Sequence, residues 1–165
     1  MNAVAGGNDD QAGLVVVAPV TGRIVPMADV PDPVFAGSLV GPGLALDPSD
    51  AARGPVVAVA PVAGTVVKLH PHAFVVQTAD GAGVLTHLGI DTVQMKGEGF
   101  TLKVAEGDDV AAGDPIAEWD PAAVVASGRS AIVPVVALEA TPDAVTPAHD
   151  ADTAAAGGAL FTWRR

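Results

Sequence analysis

Ala18-Pro19-Val20-Thr21-Gly22-Arg23-Ile24-Val25 and Ala60-Pro61-Val62-Ala63-Gly64-Thr65-Val66-Val67 are two versions of one phrase, set 42 residues apart. Each carries Ala-Pro-Val, then a Gly, then a run of mostly β-branched residues. A second pair lies toward the other end of the chain. Asp108-Asp109-Val110-Ala111-Ala112-Gly113-Asp114-Pro115-Ile116-Ala117-Glu118-Trp119 is echoed from Asp152 to Trp163, 44 residues later, with Gly113 and Trp119 matching Gly157 and Trp163. Similar offsets in two separate regions predict a duplicated β unit of about that length. Around these phrases, short Val- and Ile-rich runs recur every ~8–12 residues between Gly, Pro and Asp, the pattern of an all-β sandwich or barrel. The expected fold class is therefore all-β, an antiparallel β-sandwich.

One helix is expected. Asp120 can cap it, Pro121 suits the first helical position, Ala122 to Ser127 follow, and Gly128 can close it. Between Ala140 and Ala156, Pro142 and Pro147 leave room only for a short or broken helix. The 165 residues suffice for one domain with a real core. Residues 1–13 read as a disordered leader and 14–165 as a single domain. The N-terminus lacks the basic and apolar regions of a signal peptide, and no apolar run approaches the ~20 residues that span a bilayer. With no cysteine in the chain, thiol chemistry is excluded. A cytoplasmic location is expected. A net charge of −11 disfavours nucleic acid and suits a basic protein partner.

Chemistry concentrates in one stretch. Three of the four histidines, His70, His72 and His87, fall within 18 residues. Histidine can act near neutral pH as nucleophile, base or metal ligand. Asp80-Gly81 between two apolar runs predicts a hairpin. A two-residue turn there would make paired positions sum to 161, with His87 opposite Phe74 and His72 opposite Gly89. The two rings would then meet diagonally across the ladder, and Asp91 would fall near His70. A three-residue turn would flip the parity and remove that convergence. A hydrogen bond from Nδ1 of His87 to a nearby carbonyl, such as that of Gly89, would leave Nε2 free to attack. His149 lies in the Pro-broken region and reads as an ordinary surface side chain.

These segments resemble the glucose-type enzyme IIA component of the bacterial phosphoenolpyruvate-dependent sugar phosphotransferase system. The resemblance covers roughly residues 17 to 163. It rests on Ala18-Pro19 with Gly22, Asp29-Val30-Pro31-Asp32-Pro33-Val34-Phe35-Ala36, Val40-Gly41-Pro42-Gly43, Ala60-Pro61-Val62-Ala63-Gly64, His72-Ala73-Phe74, His87-Leu88-Gly89-Ile90-Asp91-Thr92-Val93, and Lys96-Gly97-Glu98-Gly99-Phe100. It implies a duplicated barrel-sandwich hybrid with one or two short helices, acting as a phosphotransferase. It implies that His87 accepts a phosphoryl group on Nε2 from the phosphocarrier HPr and passes it to a cysteine of the IIB domain of a sugar permease. His72 matches the histidine that steadies the phosphoryl oxygens. Asp32 and Asp91 match rim carboxylates, and Val34 and Phe35 part of an apolar docking surface. His70 stands where familiar members carry a small hydroxyl residue, making it and Gly89 candidate relay positions. The resemblance implies no cofactor and no metal, no direct membrane insertion, and regulated transporters or enzymes as further partners.

Two other readings compete. His70-Pro71-His72 with His87 and Asp91 offers ligand types for a zinc-dependent hydrolase. Met95-Lys96 among Gly-rich repeats suggests a lipoyl or biotinyl carrier, but Gly97-Glu98-Gly99 does not supply the tight hairpin motif such a lysine needs.

Overall fold

The computed structural model describes residues 13–48 and 54–165. The expected leader therefore lies, but for Gly13, outside the described residues.

The repeat seen in the sequence is the architecture. Strands β1 (Leu14–Val17) and β2 (Gly22–Pro26) correspond to β4 (Val56–Val59) and β5 (Gly64–His70). Strands β9 (Asp109–Val110) and β10 (Pro115–Trp119) correspond to β13 (Thr153–Ala154) and β14 (Ala159–Trp163). Pairing respects both offsets. Leu14 lies opposite Trp163, and Val56 opposite Trp119. Ala154 pairs Gly22, and Val110 pairs Gly64. Loop hydrogen bonds repeat as well: the Ala18 amide donates to Gly158 O and the Ala60 amide to Asp114 O, both at 2.8 Å. The halves are laced to one another by the Val17 amide on Pro61 O and the Val59 amide on Pro19 O, each 2.9 Å. The matched Gly22 and Gly64 also have a steric reason. A Cβ there would stand 2.7 Å from Asp47 O and 2.1 Å from Gln77 O, inside contact distance.

The remaining elements complete an eight-stranded sheet between the two units. They are β3 (Gly43–Asp47), β6 (Ala73–Gln77), β7 (Gly83–His87) and β11 (Val133–Ala137). The sheet order is β13-β2-β3-β11-β7-β6-β5-β9. Two three-stranded sheets pack with it. One is β1-β14 with β12 (Val145–Pro147), the other β4-β10 with β8 (Phe100–Leu102). All pairings are antiparallel. The main core gathers Trp119, Phe74, Phe161, Leu46, Leu160 and many valines. Burying such side chains at roughly 1.5–3 kcal/mol each is what holds the sheets together.

Among the described residues there are two short α-helices. α1 (Pro33–Ala36) starts at Asp32, whose Oδ1 accepts the Val34 amide at 2.9 Å. α2 (Pro121–Ala126) starts at Asp120, which accepts the Ala123 amide at 3.2 Å, as the Asp-Pro pairing anticipated. The segment after Ala140 holds only a 3₁₀ turn, Pro142–Ala144, and short strands. Among the described residues no helix is long and apolar enough to cross a membrane.

One expectation about register fails. The β6–β7 pairs sum to 160, with Ala73 opposite His87 and Phe74 opposite Thr86. Ala79, Asp80 and Gly81 form a three-residue loop closed by the Thr78 amide on Ala82 O. Thr78 causes the difference. Its hydroxyl bonds both the Asp80 carboxylate and the Ala82 amide, drawing Asp80 into the loop centre and leaving Gly81 to take the left-handed position at φ +96°.

Candidate functional site

His87 ends β7 on the outer face of the large sheet, the face that also carries its pair partner Ala73. A second apolar cluster of Val25, Met27, Val30, Phe35, Ala45, Ile90 and Val136 covers that face. It seats α1 so that the Phe35 ring meets the His87 ring at 5.3 Å between centroids. Immediately after β7, Gly89 adopts φ +82°, and its carbonyl oxygen lies 2.6 Å from Nδ1 of His87. A carbonyl only accepts, so Nδ1 carries the proton and Nε2 keeps its lone pair. The turn is held by Thr92, buried, whose hydroxyl donates to Leu88 O at 2.7 Å, and by the Ile90 amide on Ser130 O at 2.9 Å.

His72 reaches the site by a route the sequence did not suggest. Strands β5 and β6 pair His70 with Ala73, leaving Pro71-His72 as a two-residue turn. Because His72 is off the ladder, strand alternation does not dictate where its ring points. The three-residue loop at the far end of β6 therefore leaves the convergence intact. The His72 and His87 rings meet edge-on, 5.2 Å apart at 73°. The His72 backbone is fixed by its carbonyl, which accepts the Leu88 amide at 2.7 Å, so His72 faces Leu88 and not Gly89. On its other side the His70 ring stacks at 5.8 Å and 29°.

Burial favours the neutral forms of His87 and His72. Burial lowers the His87 pKa below the usual imidazole value, opposed by the Gly89 carbonyl and the charges of Asp32 and Asp91. His72 is lowered to about 4, first by burial and then by the neighbouring His87 and His70. Asp91, expected near His70, bears instead on His87. It holds φ +60°, the left-handed conformation that aspartate tolerates better than most residues. Asp32 doubles as the α1 cap, a role absent from the sequence reading. Val34 is 43% exposed, while Phe35 is 9% exposed and belongs to the site floor more than to an open surface. Leu39 and Val93, 74% and 59% exposed on the segments after α1 and after Asp91, are apolar groups that periodicity could not flag, since both lie outside strands.

Among the described residues no three His, Cys, Asp or Glu side chains group so as to hold a metal ion, which leaves the zinc-hydrolase reading without a ligand set. Lys96 closes the 3₁₀ turn Thr92–Met95 and does not occupy a hairpin tip.

A family model described as the phosphoenolpyruvate-dependent sugar phosphotransferase system, EIIA 1, matches residues 14–142. The chain belongs to this EIIA family. The glucose-specific EIIA component of Halalkalibacterium halodurans is 44% identical to it over 124 residues, 74% of this chain and 69% of that protein. The N-acetylglucosamine-specific EIICBA component of Klebsiella pneumoniae is 47% identical over 123 residues, which make up 73% of this chain but 18% of that protein. Among solved structures, glucose permease IIA from Mycoplasma capricolum superposes with a TM-score of 0.77 at 30% identity, covering 90% of this chain and 94% of that one. This EIIA domain is thus a phosphotransferase of the glucose type, carrying phosphoryl groups toward a IIB domain during sugar uptake. HPr and a IIB domain are the partners that family membership implies.

Proposed function

We propose that Nε2 of His87 is the phosphoryl acceptor and His72 the group that steadies the transferring phosphoryl oxygens. The observation that carries this is the 2.6 Å approach of the Gly89 carbonyl to Nδ1, which leaves Nε2 as an unprotonated nucleophile beside a second imidazole. The Nε2 lone pair attacks phosphorus as the bond to the HPr leaving group breaks, and the bonding pair departs with that group. In the second step a thiolate of the IIB domain attacks, and Nε2 recovers its lone pair. Such in-line transfers require little covalent chemistry from the protein. Positioning and charge stabilisation dominate, and a His72 N–H supplies the latter.

Docking follows the same logic. Val34 gives an exposed apolar group above the Phe35 floor, and Asp32 and Asp91 give it an acidic rim suited to a basic partner on the cytoplasmic side of the membrane. Transporters or enzymes regulated by sugar supply would dock on this same face.

The test is intact mass after incubation with phosphoenolpyruvate, enzyme I and HPr, for wild type, His87→Ala and His72→Ala. One acid-labile phosphoryl adduct is expected on wild type and none on His87→Ala. His72→Ala should load but fail to pass the group on. A loaded His87→Ala protein would overturn the assignment.

A further inference from the structure

Among the described residues no lysine or arginine is bonded to His72 or His87. The charges that bear on His87 are Asp32, from the cap of α1, and Asp91, after β7, both anionic. Those that bear on His72 are the imidazoles of His87 and His70. Beyond them Glu106 accepts the Leu69 amide at 3.1 Å, adding a carboxylate beside the end of β5. A phosphoryl group on Nε2 therefore arrives as further negative charge in an acidic site on a chain of net charge −11. A bound proton is the counter-charge the site can recruit.

His72 is placed to take it. Its ring stands edge-on to His87 and, among the described residues, neither of its nitrogens makes a hydrogen bond within the protein. Its backbone is pinned, but the ring orientation rests on packing, and the group stacked on its outer side is His70. His70 is exposed, so the row opens to water.

We propose that His70 is a positioning residue, the outer member of a three-imidazole row that holds the His72 ring edge-on to His87 and couples phosphoryl loading of His87 to proton uptake by His72. The inference rests on His87 being the phosphoryl acceptor. The proton comes from solvent, binds a free nitrogen of His72 without breaking any other bond, and leaves when the phosphoryl group is passed on. Before loading, burial first, then the neighbouring His87 and His70 imidazoles, lower the His72 pKa to about 4. After loading, a negative charge about 5 Å away at an effective dielectric of about 20 raises its midpoint by about two pH units.

The experiment is histidine-selective NMR titration of the full chain, free and loaded through phosphoenolpyruvate, enzyme I and HPr, for wild type, His70→Gln and His70→Phe. In wild type the His72 midpoint should rise by about two pH units on loading. Both variants remove the neighbouring imidazole that lowers the His72 pKa, so both should raise the His72 midpoint of the free protein. His70→Phe keeps a stacking ring and should retain near-wild-type transfer to IIB, whereas His70→Gln should lose roughly tenfold. A His72 midpoint unmoved by loading, or variants that leave both midpoint and transfer unchanged, would overturn the inference while leaving the carrier role of His87 intact. If wild type takes no phosphoryl group on His87, both readings fall together.

Discussion

The Gly89 carbonyl oxygen stands 2.6 Å from Nδ1 of His87, two residues back along the chain. That closeness depends on Gly89 at φ +82°, where an added Cβ would lie 2.6 Å from Thr92 Cγ2 and 3.1 Å from Ser130 O. Gly89→Ala should therefore lower stability by ~1–3 kcal/mol, and phosphoryl uptake by roughly 10²-fold, as the ring loses its tautomer lock. Urea unfolding and the rate of loading from phospho-HPr check the two effects. A variant of unchanged loading rate would remove Gly89 from the mechanism.

Acid should weaken the fold through the same histidines. In the unfolded chain His72 titrates near 6.5, but in the folded protein it titrates at about 4, so between these values the unfolded state binds the extra proton. Stability is thus full above pH 6.5 and declines as pH falls toward 4. His87, also lowered by burial, contributes in the same direction. The urea midpoint of His72→Gln should fall less steeply than that of wild type across this window. Parallel curves would contradict the assignment.

Asp91 allows charge to be separated from conformation. Asparagine also tolerates the left-handed backbone that Asp91 adopts, so Asp91→Asn should stay within about 0.5 kcal/mol of wild type in stability. Removing the charge should nonetheless slow association with HPr and flatten its dependence on salt. Stopped-flow association at several ionic strengths distinguishes this from a structural effect.

Asp32 carries two duties that different variants divide. Asp32→Ala loses the cap of α1 and should cost ~1 kcal/mol, loosening Phe35 against His87. Asp32→Asn keeps a capping oxygen and loses only the charge. Equal stability loss in both variants, by thermal unfolding, would show that the cap contributes nothing.

Thr86 adjoins His87 but points into the core, fully buried, with no hydrogen-bond partner for its hydroxyl among the described residues. Thr86→Val removes that unsatisfied group at nearly constant shape and should raise stability by ~1 kcal/mol with phosphoryl loading unchanged. A destabilised variant would mean the hydroxyl is satisfied in solution.

How much of this was legible beforehand follows from the range of the forces involved. The repeat exposed the duplicated strands because equivalent strands face equivalent steric demands, as Gly22 and Gly64 show. Asp120-Pro121 announced α2 because capping is a local matter. The β6–β7 register was misread because one hydroxyl, that of Thr78, decided between two loop lengths. The approach of His72 lies outside what strand alternation encodes, since a turn residue obeys no alternation. Leu39, Val93 and the cap role of Asp32 depend on how irregular segments lie over the sheet, which periodicity does not encode.

The pairing of Leu14 with Trp163 also has a temporal consequence. On a ribosome, β1 is made before all the other strands described and β14 after them, so β1 stays without its neighbour until β14 emerges, and β2 waits almost as long for β13. Through that interval these strand edges stay unmatched, the condition in which β proteins fold slowly and stick to one another.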